Sequence, residues 1–185
     1  MMETVRRDLT RYLRHSAGDR RARVLAIATN CGLQAVLVYR FGRWLQRVPW
    51  WLFPLAVPGW IGYGVALLLT RFGYGIRVSL SAEIGPGLCI WHFGGIDVSH
   101  CTIGANCAIA QHTTIGPAPG GKGPVVGDRV WFSPHVRCVG AFHVGDGATI
   151  GAGVTLTEDV PANVLVVGNP ARVAMQAYDN SLFNF

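Results

Sequence analysis

The sequence predicts a mainly β fold: a solenoid of very short strands on a six-residue period, preceded by an α-helical region. Three observations predict it. Apolar residues hold the first place of twelve successive segments between Ile84 and Leu156. Eighteen of the 24 glycines stand at or beyond Gly73. The charge divides near the same border: residues 1–77 carry twelve arginines against Glu3, Asp8 and Asp19, whereas residues 78–185 carry four basic residues against seven acids. The resulting organisation is a basic, hydrophobic helical region at 1–73, a solenoid at 74–174 and a tail at 175–185.

Composition excludes several classes. Half of the residues are hydrophobic and 14% are charged, the reverse of a disordered polyelectrolyte. Glycine, at about one residue in eight, falls far short of collagen's one in three. Cys31, Cys89, Cys101, Cys107 and Cys138 are odd in number and form no C-x-x-C, so they read as small buried hydrophobes in a reducing compartment. The charged first 20 residues lack the pattern of a cleaved signal. The basic front half calls for an anionic partner: nucleic acid, phospholipid headgroups or a pyrophosphate.

Taken in order, residues 4–47 read as helices. Asn30 is placed to cap a segment in which Val36, Leu37, Phe41, Trp44, Leu45 and Val48 share one face and Arg40, Arg43 and Arg47 another. An uncharged run of 23 residues follows, Val48 to Thr70. Pro49, Pro54 and Pro58 interrupt its first half and leave Gly59–Thr70, about 18 Å of helix and too short to span a bilayer. Two readings stay open. One is a helical cap on the base of the solenoid. The other is interfacial docking, with Trp44, Trp50, Trp51, Phe53 and Trp60 at headgroup level and arginines on anionic lipid. Nucleic acid is disfavoured, because these aromatics follow an apolar stripe and no nucleic-acid-reading motif accompanies them.

From Val126 the chain divides into sixes: VGDRVW, FSPHVR, CVGAFH, VGDGAT, IGAGVT, LTEDVP. First places are Val126, Phe132, Cys138, Val144, Ile150 and Leu156; fifth places are Val130, Val136, Phe142, Ala148, Val154 and Val160. The same period runs earlier as IGPGLC, IWHFGG, IDVSHCT (one residue long), IGANCA and IAQHTT, then IGPAPGGKGPV with an insertion at 116–125. Two inward places in six fit neither an amphipathic helix nor a long alternating strand. They fit a short strand and a tight turn relieved by Gly, Asn and Asp, with three units forming a triangular coil whose stacked copies bury one another's apolar faces.

The segments IGPGLCIWHFGGIDV (84–98), IGANCAIAQHTTIG (103–116), VGDGATIGAGVTLTEDVP (144–161) and VVGNPARV (166–173) resemble the hexapeptide-repeat acyltransferases, on the serine-acetyltransferase-like branch. The resemblance covers residues 74–174 and implies a left-handed parallel β-helix, a homotrimer and acetyl-CoA as co-substrate. Acyl transfer from a thioester to a hydroxyl needs a base, and imidazole takes and returns a proton near neutral pH. The resemblance gives that role to His92 of the H-F-G-G-I segment. The repeat places Gln111 at the equivalent position one coil later, where its amide would hold the ring or an acceptor hydroxyl, or belong to a polar ladder. Asp97 would orient the imidazole or stand as a solvated acid. For the donor, Gly151 and Ala152 would offer a flat strand to the pantetheine arm. Asn169, Pro170 and Arg172 would close the helix near the nucleotide phosphates, with Gly116 and Lys122 contributing from the insertion.

Two departures bear on the acceptor. Arg77 stands where the resembled branch carries an aspartate, and the loop Gly120-Gly121-Lys122-Gly123-Pro124 stands where it carries a second histidine. The H-F-G-G-I form of the motif looks more like exopolysaccharide and colanic-acid-type O-acetyltransferases. The favoured acceptor is therefore a sugar hydroxyl of a polysaccharide or glycolipid precursor. L-serine is the alternative, and a non-catalytic β-helix scaffold is the alternative from another class. His100, His112, His135 and His143 fall at scattered places of the repeat, so no metal is expected. The expected location is cytoplasmic, with peripheral contact to the cytoplasmic face of an anionic membrane.

Overall fold

A computed structural model describes residues 2–14 and 20–181, so the last four residues of the tail lie outside it. Three parallel sheets form the faces of a triangular prism. The first stacks β1 (Ile76–Val78), β4 (Ile96–Val98), β7 (Thr114–Gly116), β10 (Arg137–Val139) and β13 (Thr155–Leu156). The second stacks β2 (Glu83–Ile84), β5 (Thr102–Ile103), β8 (Val125–Val126) and β11 (His143–Val144). The third stacks β3 (Cys89–Ile90), β6 (Ala108–Ile109), β9 (Trp131–Phe132), β12 (Thr149–Ile150) and β14 (Leu165–Val167). The antiparallel β15 (Arg172–Met175) closes this last sheet.

The six-residue period becomes packing. All twelve first-place residues are buried, as are the fifth-place Val130, Val136, Phe142, Ala148, Val154 and Val160. Strand register stacks like on like: Ile90, Ile109, Phe132, Ile150 and Val166 form one column through the prism. Burying a side chain of this size stabilises by about 1.5–3 kcal/mol, and the column repeats it at every coil. Corners turn through left-handed backbone. At the edge joining the second sheet to the third, Gly87, Asn106, Arg129, Gly147 and Asn163 all have positive φ.

The front half is α1 (Met2–Leu13), α2 (Arg20–Thr29), α3 (Cys31–Leu45) and α4 (Phe53–Leu68). Asn30 caps α3, its side-chain oxygen accepting from the Leu33 N–H at 2.9 Å. The apolar face read from the sequence packs only in part: Val36 and Leu45 are buried, and Arg40 of the opposite face is buried with them. Leu33, Val36, Tyr39 and Arg40 turn inward, while Phe41 and Trp44 stack on each other outside, ring centroids 5.7 Å apart. The reason lies in the first coil, whose strands leave backbone groups open at the end of the prism.

Helices α1 and α3 satisfy those groups with side chains. Arg40 donates to the carbonyls of Ile84 (2.7 Å) and Gly85 (2.6 Å), Tyr39 to that of Ala82 (2.7 Å), and Arg43 to that of Leu80 (3.0 Å). From α1, Arg11 donates to Gly87 and Cys107, and Tyr12 accepts from the Ile90 N–H at 2.6 Å. Asp8, wholly buried, accepts from the N–H groups of Gly87 and Leu88 and pairs with Arg40 at 2.8 Å. The cap reading therefore holds for these two helices. The anionic partner expected for the front half is, for Arg11, Arg40 and Arg43, in large part the chain's own carbonyl oxygens.

The prolines do not break the uncharged run. A turn of 3-10 helix (Trp50–Leu52), α4 and a π-helical turn (Leu69–Gly73) make one helical stretch of 24 residues, long and apolar enough to cross a membrane. Pro54 sits in the first turn of α4, where an N–H has no intrahelical partner, and Pro58 forfeits a single backbone hydrogen bond in the next turn. The expected limit of about 18 Å is thus overturned.

Candidate active site

The prism edge joining the third sheet to the first assembles most of the expected site. His92 lies between β3 and β4, Gln111 between β6 and β7, Gly151 and Ala152 between β12 and β13, and Asn169 and Pro170 after β14. His92's coil and that of Gly151 are three strand spacings apart, about 14 Å. Gly151 and Ala152 form a turn, not the flat strand expected, because two-residue strands give way to a corner directly after Ile150. Asn169 turns inward on the scaffold: its amide accepts from the Thr155 N–H (3.0 Å) and donates to the Gly153 carbonyl (2.9 Å). Gly116 ends β7, packed against Ser99. Lys122, exposed in the insertion, lies at a different edge, between the first and second sheets. Arg172 is exposed at the start of β15.

The corner carrying His92 is exceptional in length. Ile90 pairs with Ile109, which sets His92 opposite Gln111, whereas Asp97 pairs with Thr114, which sets Gly95 opposite His112. Six residues therefore span a turn that four span in the next coil. The surplus pushes His92 and Phe93 outward, both exposed, with His92 in left-handed backbone at φ +65°. His112 and His135 at the same edge share that conformation, so left-handed backbone belongs to the corners of the prism, and what sets His92 apart is the length of its corner.

His92 lines a cavity of about 340 Å³ with Arg11, Tyr12, Asn30, Cys89 and Trp91. The cap thus builds one wall of the site, a contribution that the sequence did not reveal. Burial holds the Tyr12 phenol well above its usual range and lowers the Arg11 guanidinium from its own. Burial likewise pushes the Cys89 thiol up to about 11, so this wall presents a neutral thiol at neutral pH. Trp91 packs edge-on to Trp131, centroids 6.0 Å apart.

Asp97 does not orient His92. Arg77, its cross-strand partner, takes both carboxylate oxygens, with Nε to Oδ1 at 3.1 Å. Among the described residues His92 makes no hydrogen bond or ion pair. Gln111 keeps a buried side-chain oxygen without a hydrogen-bond partner, while its backbone carbonyl accepts from the His135 N–H. The missed feature is a histidine stack. His112 and His135, both at the fourth place of their segments, converge at this edge with ring centroids 4.7 Å apart and planes 12° apart. Their shared place in the repeat was the available signal. No group of three His, Cys, Asp or Glu among the described residues is arranged to hold a metal ion.

Comparison with known proteins gives one consistent picture. No protein-family model matches the chain. It is 31% identical over 160 residues to a serine acetyltransferase of Bacillus licheniformis, covering 84% of this chain and 70% of that relative. A soybean serine acetyltransferase complexed with serine superposes with a TM-score of 0.74 at 26% identity, over 93% of this chain and 70% of that one. A Brucella abortus serine acetyltransferase in complex with coenzyme A gives a TM-score of 0.74 at 19% identity, over 97% and 69% of the two chains. Across eight serine acetyltransferases it matches, the chain spans between 52% and 80% of their length. The resemblance to exopolysaccharide and colanic-acid-type enzymes finds no support, and the relatives favour the serine alternative over the sugar acceptor. The left-handed β-helix, the repeat and the extent of identity together place this chain in the serine acetyltransferase family of hexapeptide-repeat acyltransferases.

Proposed function

We propose that the protein is an acetyl-CoA-dependent serine O-acetyltransferase with His92 as general base. The observation that carries this reading is the placement of His92: turned outward on the lengthened corner, at the mouth of a cavity and at the head of the edge where Gly151 and Ala152 lie. In this reading the imidazole takes the proton of the serine hydroxyl as its oxygen attacks the thioester carbonyl. The tetrahedral intermediate then collapses, the C–S bond breaks, and His92 returns the proton to the departing thiolate. The arm of the donor runs along the prism edge, with Gly151 and Ala152 leaving room for it. Gln111 would meet an acceptor N–H or O–H only by turning its buried side-chain oxygen outward, and Arg172 supplies a phosphate contact. Self-association as a homotrimer would close the second side of this edge. A cytoplasmic location fits the thioester donor.

The sugar hydroxyl expected from Arg77 and the 120–124 loop becomes the comparison arm of the assay. Thiol release from acetyl-CoA is expected to depend on L-serine and to fall by about 10²–10⁴-fold in His92→Ala, with the thermal transition unchanged. Thiol release that ignores L-serine and follows a sugar acceptor would overturn the serine assignment. Activity of His92→Ala within twofold of the unaltered protein would overturn the role of the base.

A further inference from the structure

We propose that the helical stretch Trp50–Gly73 is a docking face for the surface of an anionic phospholipid bilayer. The proposal is independent of the acceptor assignment. Little of this stretch is buried: of the 18-residue window with mean hydropathy 1.8, 11% is buried. Trp50 is 86% exposed, Leu55 79% and Phe72 75%, with Trp51, Phe53, Ile61, Val65, Leu68 and Leu69 exposed beside them. Outward apolar surface on this scale, continuous along about 35 Å of helix, is foreign to a face that meets only water.

Packing decides how the helix meets a bilayer. Its inner stripe is tied along α3, with Gly59 against Leu45 and Tyr63 against Gly42, and the hydroxyl of Tyr74 just beyond reaches Gln34 at 2.6 Å. The other side of α3 holds the Arg40–Asp8 pair and the backbone of the first coil. Crossing the membrane would drag those buried charges into hydrocarbon, so the helix lies in the interfacial plane with its outer face in the acyl boundary.

Charge selects the occupant. Residues 20–82 hold eight arginines and not one Asp or Glu. Arg43 and Arg47 line a cavity of about 460 Å³, with Glu83 on its wall. Trp44 and Arg47 are shared with an adjoining groove of about 410 Å³ formed by Leu45, Leu52, Leu55 and Gly59. A cationic cavity beside an apolar groove matches a phosphate headgroup joined to acyl chains. Arg40 and Arg77 are already paired with Asp8 and Asp97, but Arg47 and Arg71 border the apolar face. A second copy of this face would oppose arginine to arginine there, whereas an anionic bilayer neutralises both.

Co-sedimentation of the full chain with vesicles tests the proposal. Binding to vesicles containing phosphatidylglycerol is expected to exceed binding to pure phosphatidylcholine by about tenfold at low ionic strength, and to weaken with added salt. The triple substitution Leu55→Gln, Ile61→Gln, Phe72→Gln is expected to cut binding by about tenfold or more while leaving thiol release in solution intact. Should the triple variant fail to fold, Arg47→Gln alone is expected to weaken binding to the anionic vesicles about fivefold. Absence of binding by the unaltered protein, or equal binding by variants and parent, would overturn the proposal. So would an assembled size in light scattering that falls in the triple variant without any vesicle binding, which would assign the face to a second copy.

Discussion

Asp8 and Asp97 make the same kind of ion pair and do opposite work. Asp8 is wholly buried, shares its charge with Arg40, and accepts two backbone N–H groups of the first coil. Asp97 pairs with Arg77 where both side chains meet solvent, 35% and 45% exposed. Removing Asp8 leaves a guanidinium stranded in the cap, and loss of one partner of a buried pair costs about 3–5 kcal/mol. An exposed pair is worth about 0–1 kcal/mol. Urea denaturation should therefore find Asp8→Ala destabilised several times more than Asp97→Ala, and comparable losses would remove Asp8 from the cap's core. Nothing in the sequence distinguished the two. Asp8 sits in a polar helix among arginines, and its partners are backbone groups some 80 positions away, which no local pattern encodes.

At the scale of elements, the strands were legible and one corner was not. Each first place, and each fifth place from Val130 on, lands inward because six residues make one strand and one turn. At 96–102 the register departs, and Val98 rather than Ile96 stacks on Ile115. The 91–96 corner breaks that rule by two residues, and registers on either side of it must be known before His92, Gly95 and His112 can be aligned. The glycine there has a specific duty. Gly95 has φ +64°, and a Cβ on it would stand 2.3 Å from Nδ1 of His112. Gly95→Ala is expected to cost about 1–3 kcal/mol and to lower activity by displacing the histidine stack. Gly64 in α4 meets nothing within 4 Å of such a Cβ, so Gly64→Ala should be neutral or stabilise by up to about 1 kcal/mol. Thermal melts of the pair, read with thiol release, check both. The helices show the complementary failure of pattern reading. The stripe on α3 was sought in apolar residues, yet the face that packs includes Arg40, because an open coil edge demands donors as much as it demands hydrocarbon.

For the whole molecule, the charge division at residue 77 is two features superimposed. Arg11, Arg40 and Arg43 serve the inside, closing the prism, while Arg47 and Arg71 border the exposed apolar helix. Buried ionisable groups have a second global consequence, in the alkaline limit of the fold. Burial pushes the thiols of Cys101 and Cys107 up to about 12 and Cys89 to about 11, and raises Cys138 further. Tyr12 is shifted in the same direction by the same cause. In the unfolded chain these thiols ionise near 9.0. Between that value and the folded values the unfolded state has lost protons that the folded state keeps, so stability is full below about pH 9 and falls as pH rises. Each such thiol removes up to about 1.4 kcal/mol per pH unit in that window. Several acting together exhaust a stability of about 5–15 kcal/mol within about 2–3 pH units. The protein is expected to unfold cooperatively between about pH 10.5 and 12 under reducing conditions, followed by circular dichroism. Cys101→Ala and Cys138→Ala would each lower stability at pH 7 by opening a cavity, yet each should flatten the decline above pH 9. A slope unchanged by both substitutions would detach alkaline unfolding from the thiols.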